Sequence, residues 1–300
     1  MTTGQANAGT LAVHPTAPSR GPTTPLTVGC LVLCFFWTFW STITGLINDW
    51  QNDPNYSVGQ LVPFAALYLI WIDRSNLTQH ARSTCWWGLA VILVSQLARF
   101  YGLLFMFESA ERYALVLTIV GVVLLVCGWR IFWAARWILL FLFLMVPLPG
   151  RIHNAISGPL QSLATEGAVS TLELLGIAVT NQGNVMLLND EISVSVVEAC
   201  SGLRMLTAFV IVAATFAYVV GRPRWQKVAL IISSVPVAIA CNLIRLVATA
   251  LLFLLVSGEI AKTFFHDFAG WTMMPLAIAM LAGELWIMSK LVVTEPKGNA

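Results

Sequence analysis

Charge is what this sequence has least of. Only 10% of its 300 residues are Asp, Glu, Lys or Arg, against about 25% in soluble globular domains. The 16 basic and 14 acidic residues leave a net charge of +2. The basic ones stand in short loops and form no stripe, so no nucleic-acid partner is expected. No segment repeats at a fixed period, which removes the grounds for the inverted repeats of a secondary transporter. No pair among the six cysteines has metal-ligand spacing with histidines, so neither zinc nor any other cofactor is expected. Residues 1–25 are rich in Thr, Ala, Gly and Pro and lack the short apolar core and small-residue cleavage site of a signal peptide. They read as a disordered cytoplasmic tail.

What remains is apolar. Hydrophobic residues make up 58% of the chain and the mean hydropathy is +0.81. The fold class is therefore an all-α polytopic membrane protein, with about eight transmembrane helices in one bundle over residues 26–292 and a cytoplasmic tail at 293–300. The runs are Leu26–Ile47, Val58–Ile72, Trp86–Phe107, Tyr113–Gly128, Trp137–Leu148, Leu203–Val220, Val228–Val256 and Phe268–Met288. Basic loops at Arg74–Arg82, Arg130–Arg136 and Arg222–Lys227, with Lys290 and Lys297, mark the inner side. The acidic stretches around Asp49–Asp53 and Glu108–Glu111 mark the outer side.

One long polar connection, about residues 150–199, falls on the outer side. Its first part, through Leu175, has the spacing of an interfacial helix, with Gly158 and Gly167 as interruptions. Two β-rich runs follow, Asn184–Leu188 and Glu191–Val197, and the polar pair Asn189-Asp190 between them predicts a short β-hairpin. The hairpin leads into Glu198-Ala199-Cys200-Ser201-Gly202-Leu203-Arg204, where extended sequence meets a membrane run. Two later places add chemistry: Asn242-Leu243-Ile244-Arg245 inside an apolar run, and His266 before the last one. On this topology Cys200, Arg245 and His266 lie at the same depth, near the extracytoplasmic face.

Each candidate has a plainer reading. Cysteine is an ordinary small residue in membrane helices, and Cys30, Cys34, Cys85, Cys127 and Cys241 are read that way. Cys200 differs in standing at a surface between Glu198 and Arg204. Arg245 alone could be an interfacial residue that snorkels, but a charge within an apolar run is costly enough to point to function. His266 alone would be a packing residue; the other two groups raise it. Arg204, one helical turn beyond Cys200, either tunes the thiol or binds Glu198. Arg99 and Glu284 also interrupt apolar runs, where they either pair with other helices or meet the basic tail of a substrate.

These residues carry a resemblance. Glu198-Ala199-Cys200-Ser201-Gly202, Asn242-Leu243-Ile244-Arg245 and His266 with Gly270-Trp271 are similar to the three motifs of the exosortase/archaeosortase family of membrane cysteine transpeptidases. Tyr56-Ser57 with Leu61-Val62-Pro63 resembles an early stretch of that family. Val58 stands where many members carry His, and no role is placed there. The resemblance implies a multi-pass protein of the cytoplasmic (inner) membrane, in contact with membrane lipid. Its partners would be exported substrate proteins bearing a C-terminal Pro-Glu-Pro-like motif, a transmembrane helix and a basic tail. The catalytic residues would be Cys200, Arg245 and His266. The Cys200 thiolate would form a thioester, Arg245 would bind the oxyanion or lower the thiol pKa, and His266 would move the protons.

Three other readings remain open. A transporter or lipid-binding membrane protein accounts for Arg99, Arg245 and Glu284 but gives no reason for a surface thiol. A serine protease using Ser201 is a weaker alternative, and a purely structural membrane scaffold is the last.

Overall fold

A computed structural model of the chain describes residues 25–79, 83–183, 185–189, 192–195, 202–255, 275–276, 278–287 and 290. The tails 1–24 and 291–300, and with them Cys200 and His266, lie outside the described residues. In chain order come α1 (Pro25–Asn52), a 3-10 turn (Ser57–Gln60), α2 (Leu61–Ile72), α3 (Arg74–Gln79), α4 (Trp87–Leu104) and α5 (Glu108–Phe141). A second 3-10 turn (Leu142–Met145) leads to α6 (Gly150–Leu174), then β1 (Val179–Asn181), β2 (Val185–Leu188), β3 (Ile192–Ser195), α7 (Gly202–Val219) and α8 (Arg224–Leu255). A shorter apolar helix, α9, covers Ile278–Ile287.

Among the described residues, four helical segments are long and apolar enough to cross a membrane: Val28–Asn52, Trp87–Leu104, Glu108–Met145 and Arg224–Leu255. Ser57–Ile72, Leu203–Val219 and Ile278–Ile287 are apolar but shorter. Large apolar side chains face outward along these helices, among them Leu33, Trp37, Phe64, Leu97 and Trp133. In water such a surface would be a liability, but against lipid tails it costs nothing.

The longest of these segments is a hairpin. Gly128 inside α5 has φ 86° and ψ 177°, a combination open essentially to glycine alone. The rings of Tyr113 and Phe143 lie 6.3 Å apart, centroid to centroid; a straight helix would separate residues thirty apart by about 45 Å. The chain therefore reverses at Gly128, and residues 129–145 run back along 108–127. The sequence pattern places the returning run only from Trp137, because Arg130 and Arg136 interrupt it. Helix nonetheless begins at once after the reversal, with Arg136 lying over the rings of Trp133 and Trp137.

The first arm of α5 also packs closely on α4, antiparallel to it. A Cβ at Gly88 would come within 2.4 Å of the Leu125 amide nitrogen and 2.6 Å of the Gly121 carbonyl oxygen, so the backbones meet without side chains between them. Further along, the fully buried Ser95 hydroxyl donates to the Ala114 carbonyl at 2.7 Å and lies 2.5 Å from the Thr118 hydroxyl. Close backbone approach and interhelical hydroxyl bonds hold helices together where no hydrophobic effect operates between them.

After the hairpin, α6 is continuous from Gly150 to Leu174; neither Gly158 nor Gly167 breaks it. The expected β-hairpin is present as β2 and β3, with Met186 opposite Val194 and Leu188 opposite Ile192. An unforeseen third strand, β1, pairs with β2 on its other side to give an antiparallel sheet in the order β1-β2-β3. Alternation gives the sheet one apolar face. Met186, Leu188 and Val194 are buried against Ala168 and Leu172 of α6 and Leu246 and Ala250 of α8.

Gly128→Ala tests the reversal. The added methyl would meet the Ser83 carbonyl oxygen at 1.9 Å in a backbone region closed to alanine, and the expected loss is roughly 3 kcal/mol or more. Gly158→Ala, where a Cβ meets nothing within 4 Å, should leave the thermal unfolding midpoint in detergent unchanged or slightly raised. Equal midpoints for the two variants would contradict the hairpin.

Candidate functional site

Several polar contacts between distant parts of the chain gather at the end of the bundle where α1 stops and α5 starts, while the Tyr218 hydroxyl donates to the Asp73 carboxylate at 2.8 Å at the other end. There Arg112 reaches the Asp49 carboxylate at 2.6 Å and Glu108 at 2.7 Å. The chain then turns at 53–57. The Asp53 side chain accepts the Asn55 amide at 2.8 Å, its carbonyl accepts the Tyr56 amide at 3.1 Å, and the Ser57 hydroxyl donates to the Pro54 carbonyl at 2.9 Å. An aspartate that bonds the amide two residues on makes a side-chain-stabilised turn, which suits the Asp-Pro-Asn sequence.

This turn is tied to the rest of the fold from two sides. Trp50 donates from Nε1 to the Met145 carbonyl at 3.1 Å. The Tyr56 hydroxyl lies 2.6 Å from His153 Nδ1 and 3.3 Å from the Leu148 carbonyl oxygen. Burial, and then the negative charge of Asp53, push the Tyr56 phenol above its ordinary value, so it remains a neutral hydroxyl at physiological pH. His153 sits in the first turn of α6, after Pro149 has opened the helix.

The first turn of α7 faces the same turn of chain. Arg204 is half-buried and donates from Nε to the Pro54 carbonyl. Between the two elements lies an apolar cavity of about 150 Å³, bounded by Tyr56 and Gly59 on one side, Leu203, Leu206 and Thr207 on another, and Ile156 of α6. An apolar cavity of this size accommodates a group as large as a benzene ring. Arg204 is thus engaged with the 53–57 turn, a partner that nothing in its local sequence singles out.

Of the three residues the sequence singles out, Arg245 is the one within the described residues. It lies on α8, half-buried, and its backbone carbonyl accepts the Thr249 hydroxyl at 2.6 Å. Asn242, one turn earlier, is 3% exposed, and its Oδ1 has no hydrogen-bond donor among the described residues. Leu206 of α7 and Asn242 line one small cavity together with Leu160, Ala238 and Ile239. From that shared level the antiparallel helices run four residues back to Gly202 on α7 and three forward to Arg245 on α8. Both steps lead toward the same end of the two helices. Gly202 is two residues on from Cys200. The sheet that precedes Cys200 packs on Leu246 and Ala250, the immediate surroundings of Arg245. Cys200 and His266 themselves fall outside the described residues.

The profile of the transmembrane exosortase family (Exosortase_EpsH) matches residues 50–283, most of the chain. The chain belongs to the exosortase family. No curated protein and no solved structure matches it. Membership supports a multi-pass membrane protein of a transpeptidase kind. The match begins at Trp50, so the exosortase region takes in the turn at 53–57 as well as the motif that carries Cys200.

Sequence reasoning missed His153 and the tether at Trp50. Their only signals were a lone imidazole just past a Pro-Gly break and an indole beside two acidic residues, and neither names its partner. Of the other charges within apolar runs, Arg99 lies with its guanidinium 4.9 Å from the centre of the Phe39 ring. Glu284 keeps a buried carboxylate oxygen with no hydrogen-bond donor among the described residues. The described geometry does not bring either one to Arg245.

Tyr56→Phe should cost about 1–3 kcal/mol at neutral pH, because a partly buried imidazole nitrogen loses its partner. The pH dependence has a definite sign. The phenol's folded pKa is above its unfolded value of about 10, so its contribution is complete below that pH and is lost as pH rises beyond it. In unfolding scans of both proteins, the difference between them should therefore narrow as pH rises above about 10. Parallel curves would show that the phenol does not titrate with folding.

Proposed function

We propose that this exosortase cleaves exported proteins at a C-terminal sorting signal and passes the new C-terminus to another acceptor through a thioester on Cys200. The observation that carries this reading is the exosortase-family match over residues 50–283, which takes in the motifs of Cys200, Arg245 and His266. In the first step the Cys200 thiolate attacks the scissile carbonyl carbon and the carbonyl electrons move to oxygen, where Arg245 meets the developing charge. The C–N bond then breaks, and His266 gives the departing amine the proton it took from the thiol. In the second step His266 takes the proton of the acceptor nucleophile as that group attacks the thioester carbonyl, the C–S bond breaks, and the sulfur leaves as thiolate.

The substrate would reach this site from the membrane. A transmembrane anchor places the cut at the bilayer surface, and a basic tail keeps the anchor oriented. In this reading the chain crosses about eight times with both termini in the cytoplasm, and the site opens on the extracytoplasmic side of the inner membrane. The charge pattern supports that orientation: Asp49, Asp53, Glu108 and Glu111 gather at one end of the helices, and Arg74, Arg130, Arg222 and Arg224 stand at the ends of other runs.

Co-expression with a signal-bearing protein, followed by mass spectrometry of that protein's C-terminus, tests the reaction. Cys200→Ala should leave the substrate uncleaved, and hydroxylamine should release substrate trapped on the wild-type enzyme. Normal processing by Cys200→Ala would sink the thiol mechanism and return attention to Ser201 or to transport.

Arg245→Lys separates a planar donor from a mere positive charge. A lysine ammonium cannot supply two parallel hydrogen bonds, so turnover should fall about a hundredfold or more while the protein level in the membrane stays normal. Near-full activity would reduce Arg245 to a generic cation.

A further inference from the structure

Arg204 stands four residues beyond Cys200, and its proximity in sequence makes it an obvious counter-ion for a thiolate. The bond it makes is to a different part of the chain. We infer that Arg204 is a positioning residue, whose Nε–H bond to the Pro54 carbonyl seats the first turn of α7, and the nucleophile segment before it, on the 53–57 turn. The inference rests on the reading of Cys200 as nucleophile.

Two independent features of the site lead there. The first is that the 53–57 turn is a fixed platform. Trp50 holds it to Met145, and Tyr56 holds it to His153 and Leu148. The turn is also closed internally by Asp53 and Ser57. Whatever is bonded to Pro54 is thereby referred to α5 and α6.

The second feature is the cavity of about 150 Å³ between Tyr56 and Gly59 on the platform and Leu203, Leu206, Thr207 and Val210 on α7. Apolar surfaces set the distance between two elements only where they are in contact, and a gap of this size thins that contact around the cavity. The Arg204–Pro54 bond spans the interface at the same level and fixes the separation. A donor in a rigid fork suits this, because its direction as well as its length is defined.

The chemistry of the side chain supplies a discriminating test. Glutamine carries its amide nitrogen at the same number of bonds from Cα as arginine carries Nε, so Arg204→Gln keeps a donor for Pro54 and discards the charge. Lysine has a methylene at that position, so Arg204→Lys keeps the charge and moves the donor one bond too far out. If Arg204 positions α7, the Gln variant should process substrate within about threefold of wild type. The Lys variant should lose about tenfold or more, the scale of one hydrogen bond to a charged group. The thiol pKa of Cys200, read from the pH dependence of its alkylation by a membrane-impermeant reagent, should be unchanged in the Gln variant.

Amide hydrogen exchange in nanodiscs gives a readout that needs no activity. Residues 55–60 and 203–206 should exchange faster in the Lys variant and stay protected in the Gln variant. The opposite pattern overturns the inference: an active Lys variant beside an inactive Gln variant with a raised Cys200 pKa makes Arg204 a counter-ion. Equal activity and equal protection in both variants also overturn it. If the Lys variant fails to accumulate, the Gln variant alone decides by the same two measurements. Failure of the thioester reading is seen separately, as normal processing by Cys200→Ala.

Discussion

A backbone amide or a charge placed in hydrocarbon must find a partner inside the protein, because no water is there to serve. Most of this structure follows from that requirement. It is why helix accounts for the apolar part of the chain, and why Ser95 turns inward to Thr118 and Ala114. It is also why the ion pair of Arg112 with Asp49 and the tethers of Trp50, Tyr56 and Arg204 gather at one end of the bundle. At that end the chain leaves its regular helices, so free carbonyls such as those of Pro54, Met145 and Leu148 are available. The side chains that reach them come from separate parts of the chain.

The same requirement explains how a reactive centre can be built in so apolar a molecule. The segment that carries Cys200 is bracketed by a small sheet and by a helix start, and both are anchored. The sheet buries Met186, Leu188 and Val194 on α6 and α8, while α7 is tied through Arg204 to the 53–57 turn. Arg245 belongs to the same stretch of α8 that receives the sheet. In the proposed mechanism a nucleophile, an oxyanion donor and the walls of an apolar cavity are thereby referred to one rigid set of elements, which is what pre-organisation requires. His266 completes that mechanism from beyond α8.

Much of this is legible in the residues. Sparse charge and long apolar runs determine a polytopic membrane protein. The alternation of Ile192, Ser193, Val194 and Ser195 predicts a strand, and the polar residues before it predict the hairpin. The order of Cys200, Arg245 and His266, each in its motif, is enough to indicate the family, because short motifs record chemistry that local sequence must supply. Two runs differ from the sequence pattern for one reason. Arg130 and Arg136 lower the hydropathy of the arm that begins at Trp129, so it looks shorter in the sequence than it is, and glycine lowers helix propensity in α6, so that helix looks interrupted. Packing of Arg136 on Trp133 and Trp137, and of α6 on α8, outweighs both effects.

The sequence by itself thus determined the class of protein, the order of its apolar segments and the candidate thiol, arginine and histidine, since each depends on composition or on neighbours along the chain. Only the tertiary structure decided that the chain reverses at Gly128, that a third strand joins the hairpin, that Tyr56 meets His153 and that Arg204 takes the carbonyl of Pro54. The last of these partners lies 150 positions away. No local pattern encodes such a pairing, because it arises from how many helices pack at once, and a single apolar run carries no record of which carbonyl will stand opposite its one charged residue.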